Sequence, residues 1–379
     1  MKKQRILLIT RNLPPLIGGM ERLNWHIANE LSKDHDVSII SHIEAKKTAP
    51  QNVRFYGVLL NPLPIFLMLV FFQTFLRCLV QRTDILFAGS GLTAPIVVFW
   101  AKIFRKKSIV YIHGLDVENK SVIYHKVWIP FIRKADHIVA NSTSTQELCI
   151  RNHIPFMKIS IIHPGVDFPP LPREEEHIQH LKSKFNLKNK KVLISVGRLT
   201  ERKGINEFIQ QALPEIVKDV PNVLLLIVGD TASHALNKNM QTYVQLLEAA
   251  KAYNVDQHIV FSGKVTDPEL SSFFYLSDIH VFPIKYIPED PEGFGMVAIE
   301  AAAHGTPTVA FAVGGVVDAI KQNETGCLID HQDYQTMTHT LVQILEGNTV
   351  ISEKMCVQYA EQFAWCHLKN KFEKIIVNL

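Results

Sequence analysis

P-E-G-F-G-M-V-A-I-E-A-A-A-H-G-T-P-T-V-A-F, residues 291–311, decides how the rest of the chain is read. Ahead of it, S-D-I-H-V-F-P predicts a strand over 279–283, then a loop holding Pro288 and Pro291. After Gly295 the run M-V-A-I-E-A-A-A-H consists of strong helix formers and is closed by Gly305 and Pro307. Gly293, Phe294 and Gly295 therefore stand where a strand's loop turns into a helix. A helix N-terminus offers unpaired N–H groups and a positive dipole end, which suits an anion such as a diphosphate. Glycines let such a ligand approach the backbone. Glu292 falls in the loop and Glu300 about two turns into the helix. They need not share a face, and we read them as holding two different parts of one ligand. Taken alone, Gly-x-Gly before a helix is equally the cap of an ordinary α/β domain.

The chain of 379 residues is long enough for two domains with proper cores. A hydrophobic fraction of 47% and a mean hydropathy of +0.08 fit a globular protein. Cys78, Cys149, Cys327, Cys356 and Cys366 are scattered and odd in number, with no C-x-x-C pair. Neither a disulfide framework nor a zinc site is indicated, and a reducing cytoplasm is the expected setting. The opening M-K-K-Q-R-I-L-L-I-T lacks the long apolar core and cleavage site of a signal peptide. Charge is uneven: residues 1–165 hold 21 Lys and Arg against 10 Asp and Glu, a balance of +11, and the remainder balances at −7, giving +4 for the chain. A basic first half points to an anionic neighbour such as a membrane surface, a phosphorylated lipid or nucleic acid; a plain solvated charge bias is the alternative. No recognition motif stands behind nucleic-acid binding, and it is set aside.

In order, residues 5–10 form a buried strand, followed by the loop R-N-L-P-P-L-I-G-G-M, a helix from about Glu21 to Ser32, and a second strand in D-V-S-I-I-S. Strand, glycine loop, helix, strand opens a Rossmann-like half. Gly18 and Gly19 fall at the strand-to-helix turn, where a phosphate can dock, without the G-x-G-x-x-G dinucleotide fingerprint. The most apolar run, L-P-I-F-L-M-L-V-F-F at 63–72, is short of the roughly 20 residues that span a bilayer. It is either a core helix or a patch dipping into one leaflet beside Arg105, Lys106 and Lys107. D-I-L-F-A, a helix near 93–104 and K-S-I-V-Y-I-H-G-L-D continue the alternation. His113 ends a strand, and in an open parallel sheet ligands bind beyond the carboxyl ends of strands. A corner histidine with a backbone partner is the competing reading. H-I-V-A-N-S and K-I-S-I-I-H-P-G-V-D, 158–167, complete the first half, and the proline-rich, acidic F-P-P-L-P-R-E-E-E-H is a linker.

The second half opens with K-V-L-I-S-V-G-R-L-T-E-R-K-G, 191–204: a strand, then a turn carrying Gly197, Arg198, Arg202 and Lys203. V-L-L-L-I-V-G-D at 223–230, H-I-V-F-S-G-K-V-T at 258–266, the central stretch and G-C-L-I-D at 326–330 carry further strands. The tail 357–377 reads as one amphipathic helix able to return to the first domain. A buried diphosphate needs fixed positive charge, because leaving it unpaired costs several kcal/mol. Arg198 offers a bidentate fork and Lys203 a point charge. Cations at a helix start oppose its dipole, so an anion partner explains them better than surface charge does.

At this point the residues resemble the retaining nucleotide-sugar glycosyltransferases of the GT-B fold, family-four type. The resemblance covers nearly the whole chain: the Gly18-Gly19 loop, H-G-L-D at 113–116, P-G-V-D at 164–167, V-G-R-L-T-E-R-K-G at 196–204, V-G-D at 228–230, P-E-G-F-G with Glu300, and the C-terminal helix. It implies an α/β chain of two Rossmann-like domains facing across a cleft. Residues 1–165 would bind the acceptor, with a helix at about 357–379 packing back on them, and 166–356 would bind the donor. It implies that Arg198 and Lys203 grip the donor diphosphate, helped by the Gly295, Met296 and Gly19 N–H groups, with Gly18, Gly197, Gly293 and Phe294 shaping the site. Glu292 would bind hydroxyls of the donor sugar, Glu300 the ribose, and His113 would lie near the reaction centre. The base would rest near Gly229, Asp230, Lys264 and Val265. His113, Arg198, Lys203 and Glu292 are thus the expected catalytic set.

The same resemblance implies no metal and no cofactor, the nucleotide-diphosphate sugar being a co-substrate, and E-D-P-E at 289–292 is not read as a metal motif. It implies retention of anomeric configuration through same-face attack, with the leaving phosphate as base and closure of the domains excluding water. The expected activity is transfer of a hexose to a lipid-linked or polysaccharide acceptor in cell-envelope glycan synthesis. The protein would be cytoplasmic, with peripheral contact to the anionic inner face of the membrane. Two other classes compete. A nucleotide-sugar epimerase of related fold is disfavoured by the Arg198/Lys203 and Glu292/Glu300 set. A non-catalytic sugar-nucleotide binding module is disfavoured by the intact H-G-L-D.

Overall fold

The inner strands are runs of four to seven residues, rich in Ile, Leu, Val and Phe, that are buried nearly throughout, as strands covered on both faces are. The computed structural model describes residues 3–118, 121–230, 241–288 and 290–379. The chain divides into two compact units, Met1–Gly165 with Trp365–Leu379, and Val166–Ala364.

The first unit is built on β1 (Arg5–Ile9), β2 (Asp36–His42), β3 (Arg54–Val58), β4 (Ile85–Ala88), β5 (Lys107–Ile112), β6 (His137–Ala140) and β7 (Ile159–Ile161). They form one parallel sheet in the order β3-β2-β1-β4-β5-β6-β7. The order reverses between β1 and β4, the switch point at which such sheets open a crevice. Helix α1 (Gly19–Leu31) follows β1. Helix α2 (Leu63–Val80) precedes β4 and α3 (Ala94–Ile103) precedes β5.

Sequence reading ended the apolar run at Phe72, but α2 continues to Val80. Its 18 residues suffice, by length and composition alone, to cross a bilayer. One stripe, Phe66, Val70, Thr74 and Cys78, is buried against the unit's core, at the four-residue spacing of one helix face. Trp100 of α3 clamps α2 from the side: its Nε1–H donates to the Phe71 carbonyl at 3.0 Å, and its ring lies 4.8 Å from Phe71 and 4.9 Å from Phe75.

The tail departs from the single helix expected. Helix Glu353–Glu361 ends, and a second helix, His367–Val377, begins after a break. At the break the Val166 N–H donates to the Phe363 carbonyl at 2.8 Å, so the backbone leaves the helix to pair with another segment. No proline or glycine marks the place, so the amphipathic pattern hides it. The second helix packs in the first unit. Phe372 is fully buried 5.5 Å from the Phe87 ring, and Lys369 and Glu373 pair with Asp34 and His35 at 2.5 and 2.8 Å.

The second unit holds β8 (Lys191–Val196), β9 (Val223–Val228), β10 (Ile259–Gly263), β11 (Ile279–Phe282), β12 (Thr308–Phe311) and β13 (Gly326–Ile329). Their parallel order is β10-β9-β8-β11-β12-β13. The switch point lies between β8 and β11. The two stretches singled out in the sequence, 197–204 and 291–295, leave the carboxyl ends of these two strands.

Candidate functional site

Backbone hydrogen bonds tie the strand ends of the second unit into one edge. The Gly197 N–H donates to the Val228 carbonyl at 2.9 Å and the Gly229 N–H to the Gly263 carbonyl at 3.0 Å. The Leu199 N–H reaches the Asp230 carbonyl at 3.3 Å, and the Lys285 N–H reaches Arg202 at 2.8 Å. Gly197, Arg198, Gly229, Asp230, Lys264 and Val265 thus line up past β8, β9 and β10. Tyr243, not anticipated from sequence, closes on this row, its hydroxyl donating to the Gly229 carbonyl at 2.6 Å. Lys264 is exposed, while Val265 packs on the unit's core.

Charge gathers where the β8 turn meets the loop after β11. A short 3-10 turn, Glu201–Lys203, carries Arg202 inward. The Arg202 guanidinium is buried and bonds Glu292 through Nη1, with Asp290 at 3.3 Å from its Nε. Lys203 Nζ stands 3.6 Å from the same Glu292 oxygen and 4.4 Å from the centre of the Phe282 ring. Burial alone would raise the Glu292 carboxyl, but Arg202 and Lys203 outweigh it and hold it at about 2. Burial lowers Lys203 to about 8, against the pull of Glu292 and with the help of Arg202 and Arg198. Arg198 is exposed at the rim. Three cations thus face two carboxylates. Within the cluster the two carboxylates more than offset the burial of Arg202, whereas the burial of Lys203 outweighs the pull of Glu292.

The loop continues into helix Met296–Ala303, whose cap is Gly295 at φ 83°, a left-handed conformation that glycine adopts without strain. No side chain caps this helix start, so its first N–H groups are not satisfied in that way. Gly293 and Gly295 leave the turn open, while the Phe294 side chain points into the core, 5.7 Å from the Phe363 ring. Phe294 therefore anchors the loop and has only its backbone to offer a ligand. Met296 is half-buried at the helix start, and Glu300 is buried one turn further in, not the two turns read from the sequence, because the helix begins only at Met296. Gly314 and Gly315, to which the sequence reading gave no role, back the loop: the Gly315 N–H donates to the Glu292 carbonyl at 2.9 Å. Glu289, part of the 289–292 stretch, lies outside the described residues.

Arg198, Lys203, Glu292 and Glu300, singled out in the sequence, all follow β8 and β11 in the second unit; Arg202 was named in the turn without a role, and Asp290 was given none. The signal for Arg202 was present: three cations in six positions leave room for one to serve the acid rather than the ligand. The remaining candidates belong to the first unit. His113 follows β5 and is buried, its Nε2–H donating to the Gly89 carbonyl at 2.9 Å and its backbone N–H to Asp116 at 2.9 Å. This is the backbone-partnered corner, and it fixes the ring rather than ruling out contact with a substrate. Gly18 and Gly19 open α1, where Glu21 occupies the first turn and accepts from Asn12 at 2.7 Å. A Cβ on Gly18 would meet the Glu21 carboxylate at 2.4 Å. An acid already sits at that helix start, which argues for a small role of this loop in holding phosphate.

Comparison with known proteins bears on both units. The model of "Glycosyl transferases group 1" matches residues 177–363, and that of "Glycosyltransferase Family 4" matches 17–168. This chain belongs to the group 1 glycosyltransferases. A GDP-mannose-dependent alpha-(1-6)-phosphatidylinositol monomannoside mannosyltransferase of Mycolicibacterium smegmatis is 24% identical over 90% of this chain and 89% of its own. A D-inositol 3-phosphate glycosyltransferase of the same organism is 27% identical over 62% of this chain and 51% of its own. Among solved structures, Anabaena Alr3699/HepE in complex with UDP superposes with a TM-score of 0.80 at 18% identity, over 99% of this chain and all of that one. Sucrose-phosphate synthase from Thermosynechococcus elongatus gives 0.79 at 19%, covering 99% of each chain. These likenesses establish the GT-B fold, and as a group 1 glycosyltransferase the protein is an enzyme of sugar transfer.

Proposed function

We propose that this glycosyltransferase moves a hexose from a nucleotide-diphosphate sugar to a lipid-linked or polysaccharide acceptor, with retention of configuration, in cell-envelope glycan assembly. The observation that carries the donor half is the charge cluster: Arg198, Arg202 and Lys203 with Glu292 beside an uncapped helix start, at a sheet switch point. In this reading Arg198, Lys203 and the Gly295–Met296 N–H groups take the diphosphate and stabilise the charge that grows on it as the glycosidic bond breaks. Glu292, kept ionised by Arg202, accepts from sugar hydroxyls, and Glu300 from the ribose. The cations and the helix dipole supply what a divalent metal would supply elsewhere, so no metal is invoked. The leaving phosphate takes the acceptor proton in a same-face attack.

One of the two relatives supports an acceptor at a membrane. The mycobacterial mannosyltransferase is named for phosphatidylinositol monomannoside, and the basic first half of this chain suits an anionic surface. A cytoplasmic enzyme in peripheral contact with the inner membrane face follows. The relatives leave the base open, one being named for GDP-mannose and another solved with UDP. Thermal shift with UDP, GDP, ADP and their hexose forms tests the reading. A site filled to 100 times its dissociation constant gains about 2.7 kcal/mol. One base should raise the melting temperature, and Glu300→Gln should abolish the rise. No shift with any nucleotide would count against the donor assignment.

A further inference from the structure

Helix Met296–Ala303 has only eight residues and no side-chain cap at its start, so its far end carries much of the task of fixing it. Gly305, at φ 82°, and Thr306 send their N–H groups back to the Ala302 and Ala301 carbonyls at 2.9 and 3.0 Å. The His304 N–H, which in a continuing helix would bond Glu300, goes to Ala301 instead at 3.0 Å. A side chain takes the Glu300 carbonyl: His304 Nδ1 stands 2.7 Å from it. A carbonyl only accepts, so the ring proton sits on Nδ1 and Nε2 is left to accept. Ser271 donates to Nε2 at 2.9 Å, its other acceptor, the Leu171 carbonyl, standing farther off at 3.5 Å. Phe274 stacks on the ring at 5.1 Å and Tyr275 meets it edge-on at 4.7 Å. All three partners belong to helix Asp267–Leu276, so the ring is oriented by a neighbouring helix. Burial lowers the imidazole pKa, against the pull of the Glu300 carbonyl, and keeps the ring neutral, as this tautomer requires.

We propose that His304 is a positioning residue for the donor: by holding the Glu300 main-chain carbonyl it sets where the Glu300 carboxylate stands, and so how well the ribose hydroxyls are bound. Residues 300–303 are the last turn of the helix. Fraying of that turn starts at carbonyls left unpaired and carries Glu300 with it. The inference rests on the ribose role given to Glu300 above and adds the residue through which that role is kept. Asparagine makes the same bond at two other helix ends of this chain. Asn152 closes helix Thr143–Arg151 with Nδ2 2.9 Å from the Leu148 carbonyl, and Asn378 closes helix His367–Val377 with Nδ2 2.7 Å from the Lys374 carbonyl.

Titration calorimetry with UDP and GDP, each beside its 2′,3′-dideoxy form, tests this. For the nucleotide that binds, the wild type should prefer the form with ribose hydroxyls. His304→Phe fills the space beside Phe274 and Tyr275 but brings no donor. It should lower that preference about fivefold, the dideoxy affinity staying as it was. His304→Asn returns the donor and should restore the preference. Both variants should melt lower, one through the lost bond and the other through the lost ring contacts, so stability does not decide. Where His304→Phe does not fold, Ser271→Ala frees the ring to turn and should lower the preference by a smaller factor. An unchanged preference in His304→Phe, or in a folded Ser271→Ala, overturns the proposal and leaves His304 a structural cap. So does a preference lost in both His304→Phe and His304→Asn. A wild type indifferent to the ribose hydroxyls, or a Glu300→Gln variant that keeps the preference, removes the ribose reading and this inference with it. A preference lost in Glu300→Gln but kept in His304→Phe removes the inference alone.

Discussion

Arg202 and Arg198 stand four positions apart and do different work. Arg202 is buried between Glu292 and Asp290, whereas Arg198 is exposed at the rim. Removing one partner of a buried pair leaves the other charge uncompensated, at about 3–5 kcal/mol. Arg202→Met should therefore lower the unfolding free energy by about that amount, measured by denaturant titration. Arg198→Met should leave it within about 0.5 kcal/mol and weaken nucleotide binding instead, measured by calorimetry. A stable Arg202→Met would mean that the Glu292 carboxylate does not depend on this partner. The sequence shows three cations and two acids near each other in motif order, but not which cation is turned inward, because that depends on the direction of a single 3-10 turn.

Two pH effects follow at the same scale. Glu292 is held at about 2 in the folded protein against an ordinary 4.5, so the unfolded chain binds that proton more tightly. The linked stability, about 3 kcal/mol, is fully present above pH 4.5 and is lost as pH falls toward 2. Glu292→Gln should flatten this part of the acid limb. Lys203, lowered to about 8, loses its charge above that pH while an unfolded lysine keeps it. Its sign is opposite for binding: nucleotide affinity should fall as pH rises past about 8 in the free protein, and Lys203→Met should bind weakly with no such slope. An unchanged slope in that variant would move the assignment to another group.

At the scale of elements, the loop from Asp290 to Gly295 is held from behind as well as by charge. A Cβ on Gly315 would stand 2.0 Å from the Gly293 carbonyl oxygen and 2.7 Å from Phe294 Cα. Both are backbone atoms with no rotamer to give. Gly315→Ala should push the loop and the start of helix Met296–Ala303 away, costing about 1–3 kcal/mol and most of the donor affinity. Gly347→Ala is the control for an added methyl at a strained φ, since nothing lies within 4 Å of its Cβ. It should lower stability without touching nucleotide binding. The helix starts at the strand ends were legible because capping glycines and apolar runs are local signals. The backing by Gly314 and Gly315 was not, because it joins segments more than 20 positions apart through backbone atoms alone.

At the scale of the whole molecule, the chain returns to its first unit at the end, and this is where a last prediction belongs. Phe372 is fully buried with its ring 5.5 Å from Phe87 and 6.5 Å from Tyr111, both in the first unit. Burial on this scale means Phe372→Ala should cost about 3–5 kcal/mol. The loss should fall on the first unit, because the charge cluster and the uncapped helix lie in Val166–Ala364. Hydrogen exchange read by peptide should show faster exchange in β4, β5 and α1, with peptides over 191–204 and 291–303 unchanged. Nucleotide binding to the second unit should persist while transfer activity falls. Equal loosening of both sets of peptides would show that the two units unfold together, so that the terminal helix supports the whole chain and not the unit that holds it. The amphipathic tail suggested this return, since its apolar stripe needs a partner. The break near Ala364 carries no turn residue, so only the backbone pairing with Val166 reveals where the second unit stops.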